Sequence, residues 1–218
     1  MNWNVGVVTT NLPFLLAGLK MTVAVTIAAM ALGAAVGLPV ALVRMSRIRI
    51  VSALAGLYID IWRSTPLLVQ LIWVFYALPI LVRHSMTPLL AGVVTMAFHV
   101  SAYLAEIYRA GILSIAQGQR QAGLSLGMTP FQVMRRVVLP QAVTRMLPPI
   151  GSQFISLFKD SALVSLITLQ ELMWQAQSLA AFTMRPLEIL TAAAVIYMIL
   201  TLPQAVLVNY LHRRYLAH

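Results

Sequence analysis

Apolar positions along this chain come in long unbroken runs, separated by short basic or polar stretches. The first run, Phe14 to Val43, carries one charge, Lys20, and closes on the basic cluster Arg44 to Arg49. Such a run predicts a helix that crosses a bilayer, because a hydrocarbon layer ~30 Å thick needs about 20 apolar residues. Ala34, Gly37 and Ala41 fall three and four apart, which lets another helix approach closely. The region from Ile50 to Val82 holds Asp60, Arg63 and Pro66. It is longer than one straight span at a rise of about 1.5 Å per residue. Either Ile50 to Trp62 lies along the interface and the span begins near Ser64, or a helix enters, breaks near Pro66 and continues. A third span is expected from Pro88 to Tyr108 and a fourth from Pro148 to Ile167. The mixed stretch Leu169 to Met184, with Glu171 and Trp174, reads as a short interfacial helix. A last span runs from Pro186 to Leu211, kinked near Pro203 and closed by Arg213 and Arg214. The pattern therefore predicts an all-α polytopic membrane protein with about five transmembrane helices in a single domain, residues 1–218.

Between the third and fourth spans lies a stretch of different character, Ile115 to Pro140, with Arg120, Arg135, Arg136 and the glycines Gly118, Gly123 and Gly127. It belongs in water, within a loop of about residues 110–147. Its chemistry predicts two short helices joined by a bend. Gly127 can take the left-handed conformation that ends the first helix, Thr129 can cap the second, and Pro130 fits the first turn. Gln132 stands three residues after the cap, where a capping box needs it. Pro140 is expected to stop the second helix.

Composition agrees with the pattern. Hydrophobic residues make up 61% of the 218 positions and charged residues 9%, whereas soluble domains carry about 25% charged residues. The net charge of +10 would suggest nucleic acid in a soluble protein. Here the basic residues cluster beside apolar runs, as membrane topology requires, and nucleic acid is excluded as a partner. If the polar stretch is cytoplasmic, ten of the 15 basic residues lie inside: Arg44, Arg47, Arg49, Arg109, Arg120, Arg135, Arg136, Arg145, Arg213 and Arg214. That bias places the N-terminus outside and the C-terminus inside. No basic region precedes the first apolar run, so it does not read as a cleaved signal peptide. The sequence has no cysteine, hence no disulfide, thiol catalysis or Cys-ligated zinc, and no metal site is expected.

The charges at membrane depth are the candidate chemistry. Asp60 and Arg63 stand three apart and can share a helix face, where they could neutralise one another. Glu106 and Arg109 have the same spacing and read as an interfacial ion pair, while His99 reads as a hydrogen-bonded interior histidine. Lys159 and Asp160 lie about 15 Å beyond Pro149 along a helix, near the bilayer midplane. Being adjacent, they point in different directions and cannot pair along one face. A zwitterionic amino acid needs both an acceptor for its ammonium and a donor for its carboxylate, and these two supply them.

Three stretches resemble one protein family. In QAGLSLG, nine residues and VVLP, residues Ala122, Gly127, Leu139 and Pro140 match the Glu-Ala-Ala loop of ATP-binding-cassette (ABC) importer permeases, with Gln121 in place of Glu and Gly123 in place of the second Ala. Tyr58 with Arg63, Ser64, Thr65, Pro66, Leu67, Leu68, Val69 and Gln70 is similar to the signature of the polar amino acid permeases in that family. The stretch from Ser152 to Ser165 resembles a third pattern of the same permeases, with Ser152, Gln153 and Ala162 where Asn, Glu and Ser are usual. The resemblance implies a MetI-like transmembrane domain that docks on a separate ATPase through Gln121, Ala122, Gly123, Leu124, Gly127 and Met128. It implies a substrate pathway drawn from Asp60, Arg63, Thr65, Pro66, Gln70, Lys159, Asp160 and Ser161. The implied partners are ABC ATPase subunits, a second permease subunit, an extracytoplasmic amino-acid-binding protein, the amino acid and membrane lipid. The chain would hold no cofactor, with ATP and Mg on the ATPase; indeed it has no G-x-x-x-x-G-K-[ST] phosphate loop. Gln153, lacking the usual acid, hints at a neutral or acidic substrate. The alternative is a secondary amino acid transporter working alone on an ion gradient, with Asp60 and Asp160 as coupling sites. An intramembrane enzyme is not supported, since neither H-E-x-x-H nor G-x-S-x-G occurs.

Overall fold

The computed structural model describes the backbone of residues 3–216 and the side chains through residue 213, so that of the two closing arginines only Arg213 has a described side chain. Among the described residues all regular structure is helical. Helix α1, Val5–Arg44, starts at Asn4, whose side chain accepts from the Gly6 N–H. Its 40 residues begin well before the expected Phe14. At the usual helical rise it is roughly 60 Å long. Its largest packing partner is α4, Pro88–Leu113. The glycine spacing explains how close they come: a Cβ on Gly33 would collide with Val100 Cγ1, and one on Gly37 would lie 2.7 Å from the Ser101 carbonyl oxygen.

Helices α2, Arg49–Ser64, and α3, Leu67–Val82, meet at 101° around Thr65 and Pro66. The contacts of this pair trace its course along α4. Ser52 bonds Arg44 at the end of α1; further on, the Tyr58 hydroxyl is 2.6 Å from Ser101 Oγ and the Trp62 ring stacks on Phe98 at 5.5 Å. Gln70 then reaches His99, and Val74 and Leu78 share a cavity wall with Val94 and Thr95. The pair thus climbs α4 from the end packed on Met45 toward its start at Pro88. Together the two helices are long and apolar enough to form one broken span.

After α4 come α5, Gln117–Ser125, and the rod α6, Pro130–Ile167, which finishes in a 3-10 turn at Ser161–Ile167. Pro140 does not stop it, contrary to the sequence expectation. A π-turn at Met134–Val138 precedes the proline, and the Leu139 N–H donates five residues back to the Met134 carbonyl. In a regular α-helix the ring of Pro140 would strike the carbonyl four residues back; the wider turn removes that clash. The same device recurs in α3, where the π-turn Trp73–Ala77 precedes Pro79. The fourth span is therefore continuous with the second helix of the polar stretch rather than starting at Pro148.

Helix α7, Leu172–Thr183, is too short to span and packs on α1 and on α8, Pro186–Leu216. Pro203 lies inside α8, which continues past the expected Leu211. Among the described residues four helices are long and apolar enough to cross a membrane, five if the bent pair is counted as one span. The core between α1, α3, α4 and the end of α6 is built from Val25, Leu71, Met96, Leu104, Leu157 and Ile167.

Candidate functional site: a helical bend and two cavities

The polar stretch folds as its residues require. Gly127 has φ +77°. The Gly127 N–H donates to the Leu124 carbonyl at 3.0 Å and the Met128 N–H to the Gly123 carbonyl at 3.2 Å. These are the two bonds of a glycine-terminated helix end, and they satisfy carbonyls that α5 leaves open. Two residues on, the Gln132 N–H donates to Thr129 Oγ1 at 3.3 Å, and the Thr129 N–H to Gln132 Oε1 at 2.8 Å. That reciprocal pair completes the capping box. Gly123 is buried, and a Cβ there would lie 2.9 Å from Val133 Cγ2, so a larger residue would have to push that side chain aside for α5 to close against the start of α6. Gln121, Ala122, Leu124 and Gly127 are exposed and Met128 half-buried. Around them Leu124, Leu126 and Phe131 expose 48%, 82% and 72% of their surface. An apolar cluster on a polar bend needs a partner surface. Leu126 and Phe131 escaped the sequence reading; two bulky apolar residues flanking a turn glycine in a basic stretch were the available signal.

The membrane-depth residues fall into three places. Arg63 lines a cavity of about 420 Å³ with Tyr103, Glu106, Ile107, Ala110, Pro149, Ser152 and Gln153. Its guanidinium lies 5.2 Å from the centre of the Tyr103 ring, a cation–π contact. The expected Asp60–Arg63 pairing does not occur: Arg63 turns to Tyr103, and Asp60 is exposed with no ion-pair partner among the described residues. Glu106 and Arg109 do pair, with Arg109 Nε 3.0 and 3.1 Å from the carboxylate oxygens.

Thr65, Pro66 and Gln70 form the second place, the break between α2 and α3. Buried Gln70 donates from Nε2 to the Trp62 carbonyl at 2.9 Å, the Thr65 carbonyl at 3.0 Å and Thr65 Oγ1 at 2.6 Å. Its Oε1 lies 2.9 Å from His99 Nδ1, the interior bond expected of that histidine. Gln70 therefore supplies the donors that the end of α2 lacks. The cavity beside the break, about 410 Å³ and walled by Trp62, Trp73 and Phe98, is almost wholly apolar.

Lys159 and Asp160 form the third, and they diverge as adjacent helix positions must. Lys159 lines a cavity of about 360 Å³ with Tyr197 and Met173, while Asp160 accepts from Ser156 Oγ at 3.4 Å. Ser161 is fully buried and donates to the Phe158 carbonyl at 2.7 Å. Beside this cavity lies a group that sequence reasoning missed. Buried Glu171 accepts from Thr22 Oγ1 at 3.1 Å, the Trp174 N–H at 2.7 Å and the Tyr197 hydroxyl at 2.9 Å, tying α1, α7 and α8 together. Placing Glu171 at an interface hid this role, because its partners are 149 and 26 residues away. No group of three or more His, Asp or Glu side chains that could hold a metal ion occurs among the described residues.

A bundle of membrane-crossing helices, cavities lined by charge at membrane depth and an exposed capped bend together define the membrane subunit of a transporter. The chain belongs to the family described as binding-protein-dependent transport system inner membrane component, which it matches over residues 30–217. It is 39% identical over 204 residues to the glutamine transport system permease protein GlnP of Escherichia coli strain K12, covering 93% of each chain. A crystal structure of an amino acid ABC transporter with histidines superposes with a TM-score of 0.92 at 37% identity, over 98% of this chain and 100% of that one. The inward-facing MetNI methionine ABC transporter shares the fold, with a TM-score of 0.76 at 23% identity over 94% of this chain and 98% of that one. The protein is thus a multi-pass inner membrane permease subunit of a binding-protein-dependent ABC importer for amino acids. Nucleotide and its hydrolysis belong to a separate ATPase chain, and that context carries an ATPase and a binding protein as partners.

Proposed function

We propose that the whole chain, residues 1–218, works as one domain that passes a polar amino acid along the Arg63 and Lys159 cavities while an ATPase subunit seats on the bend. The docking surface consists of Gln121, Ala122, Gly123, Leu124, Gly127 and Met128, extended by Leu126 and Phe131. The pathway residues are Asp60, Arg63, Lys159 and Asp160, with Thr65, Pro66, Gln70 and Ser161 shaping the backbone around them. A second permease subunit supplies the other half of the pathway, a binding protein delivers substrate from outside, the N-terminus faces outside and the C-terminus the cytoplasm.

One observation carries the reading. Helix α6 runs 38 residues from the capped bend, through the π-turn at Met134–Val138 to a closing 3-10 turn, and contains Lys159 and Asp160. At the α-helical rise it is roughly 57 Å long. A movement imposed on the bend therefore has a direct route to the charges at membrane depth. Clamping of the ATPases on ATP would favour the outward-open state and hydrolysis would release it. Gln153, a neutral side chain on the Arg63 cavity, together with the glutamine permease among the relatives, supports a neutral or acidic substrate.

Two substitutions test the two ends of the rod. Position 127 has φ +77° and an N–H that reaches Leu124. Gly127→Pro can supply neither, because proline fixes a negative φ and has no N–H. Transport should be abolished in protein that still inserts and folds; normal uptake would remove the docking role. Asp160→Asn keeps size and removes charge. It should impair uptake while the ATPase still co-purifies, and wild-type uptake kinetics would sink the pathway role.

A further inference from the structure

The cytoplasmic-loop end of α4 is unusually well held. A helix ends in carbonyls with no partner inside it and with a partial negative charge. At this end the Ser114 N–H donates to the Ala110 carbonyl at 2.8 Å and Ser114 Oγ to the Gly111 carbonyl at 2.7 Å. The next two partners come from other elements. Arg120 of α5 donates from Nη2 to the Ile112 carbonyl at 2.7 Å, and Arg145 of α6 from Nη1 to the Ser114 carbonyl at 2.7 Å and to Ser114 Oγ at 3.2 Å. Charged donors on open carbonyls make strong hydrogen bonds, and cations are favoured at a helix C-terminus. Beneath them a Cβ on Gly111 would collide with the Met146 side chain, so α4 and α6 touch with nothing between. Ile112, Ile115, Val133, Val138 and Ala142 fill the rest of the junction.

The same two helices supply most of the Arg63 cavity: Tyr103, Glu106 and Ala110 from α4, and Pro149, Ser152 and Gln153 from α6. We propose that Arg120 and Arg145 are coupling residues, which fasten the end of α4 to the docking bend and to α6 so that ATPase closure moves both cavity walls as one body. The substrate cavity is then carried whole through the transport cycle, and its α4 and α6 walls are not pried apart. The inference rests on the reading of the bend as the ATPase-docking site.

The chain has no cysteine, so an introduced pair supplies its only two thiols. Gly111→Cys with Met146→Cys, assembled with the ATPase and binding protein in proteoliposomes, should transport at the same rate oxidised and reduced. A loss on oxidation that reductant reverses would show that the walls must separate, and would overturn the proposal. The second arm is the double variant Arg120→Ala with Arg145→Ala. Substrate moved per ATP hydrolysed should fall about tenfold, in the range of coupling energies between linked sites, with the ATPase still co-purifying. Lysine at both positions, which keeps a charged donor, should restore most of the ratio. An unchanged ratio in the alanine variant overturns the proposal, as does loss of the ATPase from that complex, which would make the arginines docking contacts. Failure of the docking reading itself looks different: the Gly127→Pro chain would then still take up substrate normally.

Discussion

Two of the turns between helices, the bend before α6 and the break between α2 and α3, are held by opposite means. At the bend between α5 and α6 every stabilising bond is local: Gly127 to Leu124, Met128 to Gly123, and the reciprocal pair of Thr129 and Gln132. At the break between α2 and α3 the bonds come from Gln70, up to eight residues on, and from His99 on another helix. Water can serve the stray backbone groups of the first turn. Within a membrane, irregular backbone survives only where protein satisfies it or where it lines a wet cavity, and at the second turn Gln70 supplies the missing donors. The exposed bend is thus free to carry a recognition surface, whereas the break depends on the buried Gln70 to hold it.

That contrast can be broken by substitution. The largest effect is expected from Gln70→Leu, which strands the Trp62 and Thr65 carbonyls and removes the partner of His99. Each buried group left unpaired costs about 1–3 kcal/mol, so thermal unfolding of the purified protein should shift down by several degrees. An unchanged midpoint would mean that Gln70 does not hold the break. His99→Leu removes the partner of only one Gln70 oxygen. It should cost less, about 1 kcal/mol. A loss equal to that of Gln70→Leu would assign the break to the histidine instead. Thr129→Ala at the exposed bend should also cost about 1 kcal/mol, but locally. It should leave the unfolding midpoint of the membrane domain almost unchanged and register mainly in transport. A cooperative loss of the whole fold in that variant would erase the distinction between the two turns.

The difference also explains what could be read from the chain. Gly127, Thr129 and Gln132 announce their turn because each acts within a few residues of itself. The class of fold and the approximate number of spans, though not the start of the fourth, followed from apolar runs whose meaning depends only on length. Three features were hidden. Pro140 reads as a helix stop because the remedy, a π-turn of five residues beginning at Met134, has no compositional signature. Asp60 and Arg63 have pairing distance on a helix, yet the ring of Tyr103, far along the chain on α4, attracts Arg63 instead. Glu171 reads as interfacial until Thr22 and Tyr197 are brought to it by the packing of α1 and α8. In each case the deciding partner is remote in sequence or is a property of the backbone. The candidate pathway shows the same division: its residues were identifiable one by one, but their separation into an Arg63 cavity, a clamped break and a Lys159 cavity arises only from tertiary structure.

The central claim is that movement of the exposed bend by an ATPase drives an amino acid past charges at membrane depth. Its most direct measurement is uptake of radiolabelled glutamine, and of a panel of neutral and acidic amino acids, by proteoliposomes holding this chain with its co-purifying ATPase and binding protein. The account predicts uptake that needs ATP and the binding protein, ignores an imposed ion gradient, and vanishes with Gly127→Pro. Uptake by the chain alone, driven by an ion gradient without ATP, would contradict it.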